Sequence, residues 1–300
     1  MKLVRYSQNG QAPRLGALQG DRIVDLAASL TATLRGRGVE RAQAIADALI
    51  PQSTRAFLEG GPATQEAVAG ITEWVTVPAG GARLHAPIVD PGKFICIGLN
   101  YRDHAEEAGL AIPKEPPIFP KWNNAILDPG EPVLRPRGST QLDWEVELGV
   151  VIGRTARFVP PDKALDYVWG YTIINDVSAR DFQFITSQWA AGKIGETLAP
   201  VGPYLADRSE IPDPHTLDLR LWVNGKQMQA GNTKNFIFDV RYIVSYLSGL
   251  MTLSPGDLIA TGTPSGVGFT RKPPILLQPG DTCTLEITGL GKLENPIKDA

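Results

Sequence analysis

From about residue 84 onward, Pro and Gly keep interrupting short apolar runs, and this texture calls for a body made mostly of strands. Residues 93–99, 144–152 and 167–175 read as buried strands with turn residues between them. Near the C-terminus Ser254-Pro-Gly-Asp257 precedes the apolar Leu258-Ile-Ala260, and Gln278-Pro-Gly-Asp281 precedes a strand over 282–287. Each Pro-Gly pair suits a type II turn, in which Gly takes the positive φ of the third position. Two such turn-then-strand units point to a coiled antiparallel sheet or β-roll. Residues 1 to about 75 differ. Three short strands over 3–6, 14–18 and 22–26 form a meander, helical stretches follow over 40–49 and 64–74, and no acids, bases or ligands gather there. The expected fold is a strand-rich α+β chain, with a small N-terminal α/β domain over 1–80 and a mixed β-roll over 81–300.

Three hundred residues, 43% of them apolar, suffice for a sizeable core without staples. The 29 basic and 32 acidic residues give a net charge of −3 with no basic run, so nucleic acid is not an expected partner. No stretch has the length of a signal-peptide apolar region or the roughly 20 apolar residues of a membrane helix, which places the chain in the cytoplasm with no membrane partner. Cys96, within Phe94-Ile-Cys-Ile97, and Cys283, alternating with Thr282 and Thr284, read as packing residues.

The phrase Asp143-Trp-Glu-Val-Glu-Leu-Gly149 carries the first chemistry. On a strand, side chains alternate, so Glu145 and Glu147 share a face while Val146 and Leu148 take the other. Two carboxylates that close repel unless a cation or protons compensate them. The pattern also suits an amphipathic edge strand with a solvated acidic face. Residues 171–175 then run as an apolar strand into Asp176, placed to converge on the same site or, alternatively, to cap a helix beginning at Ser178. Three carboxylates with open positions suit Mg²⁺ or Mn²⁺, with Ca²⁺ possible in a roomier site. Zinc is disfavoured because His85, His104 and His215 are the only histidines and show no paired spacing.

A second constellation, Gly98-Leu-Asn-Tyr-Arg-Asp-His-Ala-Glu-Glu-Ala-Gly109, is helix-permissive over 101–108 and stops at Gly109. His104 and Glu107 then share a helical face. A carboxylate beside an imidazole fixes its tautomer and raises its basicity, as a general base needs. An ordinary charged surface helix shows the same spacing. Flanking glycines and Pro113, Pro116 and Pro117 also make the segment a candidate mobile lid. Thr261-Gly-Thr-Pro-Ser-Gly-Val-Gly268 lacks the ending of a nucleotide-binding loop. Its N–H groups and the Thr263 hydroxyl remain candidate receivers of a carboxylate, although a tight turn with no ligand reads equally well. Lys121 and Lys193 are single cations near Gly, Pro and aromatic residues; each is either solvated or a partner for an acidic substrate.

Together these phrases resemble the fumarylacetoacetate hydrolase family from about residue 90 almost to the C-terminus. The resemblance rests on Gly98-x-Asn-Tyr101 with His104 and Glu107, Glu145-Val-Glu147, Asn175-Asp176-Val-Ser-Ala-Arg-Asp181 with Gln183, Gly192-Lys193, Gln229-x-Gly231-Asn-Thr233, Pro255-Gly-Asp257 and Thr261-Gly-Thr-Pro-x-Gly-Val-Gly268. It implies a mixed β-roll, usually dimeric, with Mg²⁺ or Mn²⁺ on Glu145, Glu147 and Asp176. It implies also that His104 and Glu107 activate water on a lid helix, that Lys193 and Gln183 hold the substrate or its enolate, and that Thr263 meets its carboxylate. Tyr101, Lys121 and Arg180 complete the expected substrate contacts. The chain departs from the family pattern at Ile194-Gly-Glu196, where many relatives carry an aromatic residue and an Asp. The expected activity is metal-dependent C–C hydrolysis of an acylpyruvate or other 2,4-dioxo acid. Oxaloacetate-type decarboxylation or hydroxymuconate-type isomerisation fits the same site, and a non-catalytic oxo-acid-binding protein is the reading from another class.

Overall fold

Val146–Ile152 is the axis of the molecule. All seven residues are buried, because the strand is paired on both edges, antiparallel to Val168–Asn175 on one side and to Leu258–Ala260 on the other. The computed structural model describes residues 1–300, and in it the large sheet runs outward from this axis in both directions. On one side Leu258–Ala260 is followed by the parallel Phe94–Ile97 and then by the edge strand Ile118–Lys121. On the other, Val168–Asn175 pairs with Ala199–Asp207, which pairs with Lys2–Ser7; Arg14–Gln19, Arg22–Asp25 and Thr76–Pro78 complete that wing. A five-stranded sheet, in the order Lys226–Asn232, Asp218–Val223, Thr282–Ile287, Gly291–Asp299 and Val133–Arg135, packs against it. The result is the strand-rich mixed fold expected of the sequence, with open rather than closed sheets.

The two-residue alternation decides what each face meets. Val146, Leu148, Val150 and Ile152 enter a cluster shared with Leu219, Leu221 and Leu285 of the second sheet. The opposite face carries Glu147, Gly149 and Val151, and Val151 joins Leu3, Leu15, Phe94, Cys96 and Ala260 in the second core. Burial pushes both cysteine thiols above their ordinary range, which leaves them as core residues.

Local structure departs from expectation at several points, among them the unexpected helices Thr54–Glu59 and Val240–Leu250. A helix over Leu26–Gly36 begins where the third strand ends, because the Asp25 carboxylate accepts the Ala28 N–H at 2.9 Å and caps it. The helix expected over 64–74 is Gly61–Ala69, closed at Gly70. Glu145 precedes its strand and is held by its own backbone: its N–H donates to Asn175 Oδ1 at 3.1 Å and its carbonyl accepts the Asp176 N–H at 2.9 Å. No helix is long and apolar enough to cross a membrane.

Candidate functional site

Glu145, Glu147 and Asp176 come together where the central strand begins and its neighbour ends. One oxygen from each lies within 4.8 Å of the others, and all three residues are buried. Asp176 caps no helix; Ser178–Ala179 forms a short strand paired with Leu142–Asp143, and the following helix Arg180–Gln183 has no side-chain cap. Glu147 Oε2 accepts the Gly262 N–H at 2.8 Å, so the loop after Leu258–Ala260 meets the strand it is paired with.

Three cations hold this acidic centre. Lys193 Nζ bridges Glu145 Oε2 at 2.8 Å and Asp176 Oδ2 at 2.7 Å. Arg180 donates through Nε to Asp143 Oδ2 at 3.0 Å, through Nη2 to Glu145 Oε1 at 2.6 Å, and through Nη1 to Gln183 Oε1 at 2.9 Å, with Nη2 also ion-paired to Asp143 Oδ2 at 2.9 Å. Lys121 lies 2.9 Å from Asp176 Oδ1, but its ammonium donates to the carbonyls of Val177, Lys193 and Leu198. It therefore stands behind the acids and does not line the cleft.

These contacts separate the carboxylates electrostatically. Burial pushes Glu147 well above the usual carboxylate range, and the charges of Asp176 and Glu145 push it further. Glu145 feels the same burial, but Lys193 and Arg180 outweigh it and hold this carboxyl below its ordinary value. Burial alone would lower Lys193; Asp176 and Glu145 overcome it and raise the ammonium to about 12.

The residues present fit a hard divalent cation. Asp176 Oδ1 is buried and receives no hydrogen bond, since the donors of Lys121 are spent on carbonyls. The spacing of the three acids suits oxygen ligation at about 2.1 Å after small side-chain movements. An all-oxygen set is the donor set of a hard cation.

His104 lines the same cleft as Glu145, Glu147, Arg180, Gln183, Lys193 and Thr263. It sits on the helix Arg102–Glu107, with Nδ1 3.5 Å from Glu107 Oε2. That helix is docked: Asp103 accepts from the Ser265 hydroxyl at 2.9 Å, and Glu107 accepts the Gly266 N–H at 3.0 Å. Burial opposes ionisation of Glu107, but His104 and the Gly266 N–H hold its carboxyl below the usual range. Thr263 lines the cleft too, although its hydroxyl donates to Val146 O at 3.0 Å and accepts from Gln229 Nε2 at 2.8 Å. Tyr101 is fully buried against Phe236, away from the cleft lining, with its hydroxyl unpartnered.

Sequence reasoning gave no role to Asp143, Asn175 or Gln229, which fix the geometry. Asp143 holds Arg180 and accepts the N–H groups of Gly268 and Phe269 at 2.7 and 3.1 Å, while Gln229 ties Val146 N to the Thr263 loop. Only the proximity of Asp143 to Glu145 in the chain hinted at this. The outer wall of Leu99, Leu110, Phe184, Trp189 and Phe269 left no local mark either, because these residues meet only in the fold. A competing constellation lies elsewhere. Ser7 Oγ is 2.8 Å from His85 Nε2, and His85 Nδ1 is 2.6 Å from Asp128 Oδ2, the order of a nucleophile triad. Ser7 lines none of the principal clefts, so these bonds read as a clasp between Lys2–Ser7 and the body.

Comparisons with known proteins agree with this arrangement. Residues 93–298 match the family described as "Fumarylacetoacetate (FAA) hydrolase C-terminal". The chain is 44% identical over 315 residues to a fumarylacetoacetate hydrolase domain-containing protein 2 homolog of Dictyostelium discoideum, covering 99% of this chain and 97% of that one. Among solved structures, it resembles maleylpyruvate hydrolase from Sphingobium sp. SYK-6, determined with manganese(II) and pyruvate, at 30% identity and a TM-score of 0.75 over 100% of both chains. It resembles 2-hydroxyhepta-2,4-diene-1,7-dioate isomerase from Mycobacterium marinum at 32% identity and a TM-score of 0.75, over 100% of this chain and 98% of that one. Family match, full-length relatives and shared architecture lead to one conclusion: the chain belongs to the fumarylacetoacetate hydrolase family.

Proposed function

We propose that this chain is a divalent-cation-dependent hydrolase that cleaves the C–C bond of an acylpyruvate or related 2,4-dioxo acid. The observation that carries the reading is that one cleft is lined by His104, which has Glu107 behind it, and by Glu145, Glu147 and the Lys193 that bridges Glu145 to Asp176. Glu145, Glu147 and Asp176 would hold Mg²⁺ or Mn²⁺, which supplies Lewis acidity toward the carboxylate and 2-oxo oxygens of such an acid.

The chain's own residues do the proton work. With Nδ1 turned to Glu107, His104 keeps Nε2 to take a proton from water, and the apo spacing of 3.5 Å tightens as the imidazole gains charge. Water adds to the 4-carbonyl, the C3–C4 bond breaks, and its electron pair passes to C3 as the enolate of pyruvate while the acyl part leaves as a carboxylic acid. The proton returns to C3. Lys193 uses its ammonium on two carboxylates and has a third N–H for the developing enolate charge. Gln183 gives its oxygen to Arg180, which leaves its amide NH₂ for the substrate. Stabilising that charge by ~4 kcal/mol corresponds to about 10³ in rate.

The test is pyruvate release from acylpyruvates, run beside oxaloacetate loss, with Mg²⁺ or Mn²⁺ and with EDTA. Metal-dependent release that falls at least about 10²-fold in His104→Ala supports the hydrolase. Oxaloacetate loss indifferent to that substitution identifies a decarboxylase. Rearrangement of a dienoate without pyruvate release identifies an isomerase, the activity for which one structural relative is named.

A further inference from the structure

The outer half of the cleft carries a restriction that the acidic centre does not. Four buried carboxylates, Asp143, Glu145, Glu147 and Asp176, face three buried cations, Lys121, Arg180 and Lys193. With all four ionised, as cation binding requires, that cluster is one positive charge short, and one divalent cation leaves it one positive charge in excess. A single carboxylate brings it to neutrality. The only cations lining the cleft are Arg180 and Lys193, and both already sit on carboxylates at 2.6 to 3.0 Å. The one N–H that Lys193 has left serves the enolate end of the substrate, so a second carboxylate would find neither free.

Beyond the centre the wall is apolar: Leu99, Ala108, Leu110, Phe184, Trp189 and Phe269. Leu110 and Phe184 remain 51% and 56% exposed, although Phe184 leans on Phe269 with ring centroids 5.9 Å apart. Exposed apolar groups at a cleft mouth lose their contact with water when a matching ligand arrives. The charged side chain paired with His104 is Glu107, an anion.

We propose that the substrate is a monoanionic oxo-acid whose far end is uncharged and apolar, an aliphatic or aryl acylpyruvate rather than a dicarboxylate. This rests on the reading of the site as an oxo-acid site and goes further by fixing the charge and polarity of the far end. An uncompensated carboxylate against that wall is penalised by lost hydration, whereas a methyl group there gains from burial.

The test uses two six-carbon 2-oxo acids that hold no cleavable 4-oxo group, 2-oxohexanoate and 2-oxoadipate. Their dissociation constants for the full chain are measured by calorimetry with saturating Mg²⁺, and again with EDTA. The expected result is Mg²⁺-dependent binding with 2-oxohexanoate tighter by about tenfold or more. Leu110→Lys, which places a cation on the wall, should narrow that ratio by about fivefold. Equal or tighter Mg²⁺-dependent binding of 2-oxoadipate overturns the inference and leaves the oxo-acid reading standing. Binding of neither acid with Mg²⁺ present overturns both.

Discussion

Glu147 and Glu145 are two residues apart and have opposite fates, and the difference is one of partners. Glu145 has Lys193 and Arg180, whereas Glu147 has one backbone N–H and two like charges. Its folded pKa is raised above its unfolded value, so the folded, metal-free protein keeps a proton that the unfolded chain has lost. Stability without metal therefore falls as pH rises from the ordinary carboxylate range towards that raised value. A bound cation requires the carboxylate, so ion uptake should release a proton and strengthen with pH across the same window. Calorimetric Mg²⁺ titrations in buffers of different ionisation enthalpy measure this. A positive proton release is expected, and none would mean that Glu147 is already ionised. Glu147→Gln should lose the Mg²⁺-induced rise in Tm while remaining at least as stable as wild type in EDTA at pH 8. Glu145 and Glu147 were legible in the sequence because they stand two residues apart in the chain, and Asp176 because it follows an apolar strand directly. The lysines were not. Lys121 and Lys193 looked alike, yet one turns to three carbonyls and the other to two carboxylates, and only long-range packing decides which.

At the scale of elements, the loop after Leu258–Ala260 joins the acidic centre to the helix Arg102–Glu107. Gly262 has φ +97°, a conformation that L side chains rarely adopt, and a Cβ there would lie 2.7 Å from Asn100 Cβ. Its N–H holds Glu147, Thr263 lines the cleft, and Ser265 and Gly266 dock the helix Arg102–Glu107. Gly262→Ala should cost about 1–3 kcal/mol of stability and weaken Mg²⁺ binding as well, because the strained residue and the ligand's hydrogen-bond donor are the same. Thermal melts with and without Mg²⁺ separate the two effects; an unchanged Mg²⁺-induced shift would show that the loop does not position Glu147. The glycine-rich phrase announced a turn, and its place after an apolar strand was readable. That it grips the helix Arg102–Glu107 was not, since Asp103 and Glu107 lie some 160 residues away in the chain. The helix Leu26–Gly36 escaped notice for a different reason. Asp25 reads equally as the end of a strand and as a cap, and its hydrogen bond to Ala28 decides for the cap.

For the whole molecule, the question is whether the N-terminal 80 residues are a separate scaffold. The sequence shows a change of texture near residue 80, yet Lys2–Ser7 is hydrogen-bonded to Ala199–Asp207, with Leu3 opposite Leu205. One core holds Leu3, Leu15, Val24 and Leu30 together with Val151, Ile174 and Val201 from the strands that carry the site. The clasp of Ser7, His85 and Asp128 adds a polar tie across the same boundary. Composition records where the chain changes character but not which strands share a sheet, because pairing is a long-range property. Removing residues 1–80 would strip Ala199–Asp207 of a partner and uncover the apolar face of Val151 and Ile174, an aggregation-prone edge beside bare core. The full chain should unfold in one transition, with near- and far-ultraviolet circular dichroism melting together, and Mg²⁺ should move both curves equally. The fragment 81–300 should be insoluble or should bind a hydrophobic dye without a cooperative melt. A soluble fragment that melts cooperatively and still gains stability from Mg²⁺ would contradict this and make the N-terminal wing an appendage, for then the shared core would add nothing that the acidic centre needs.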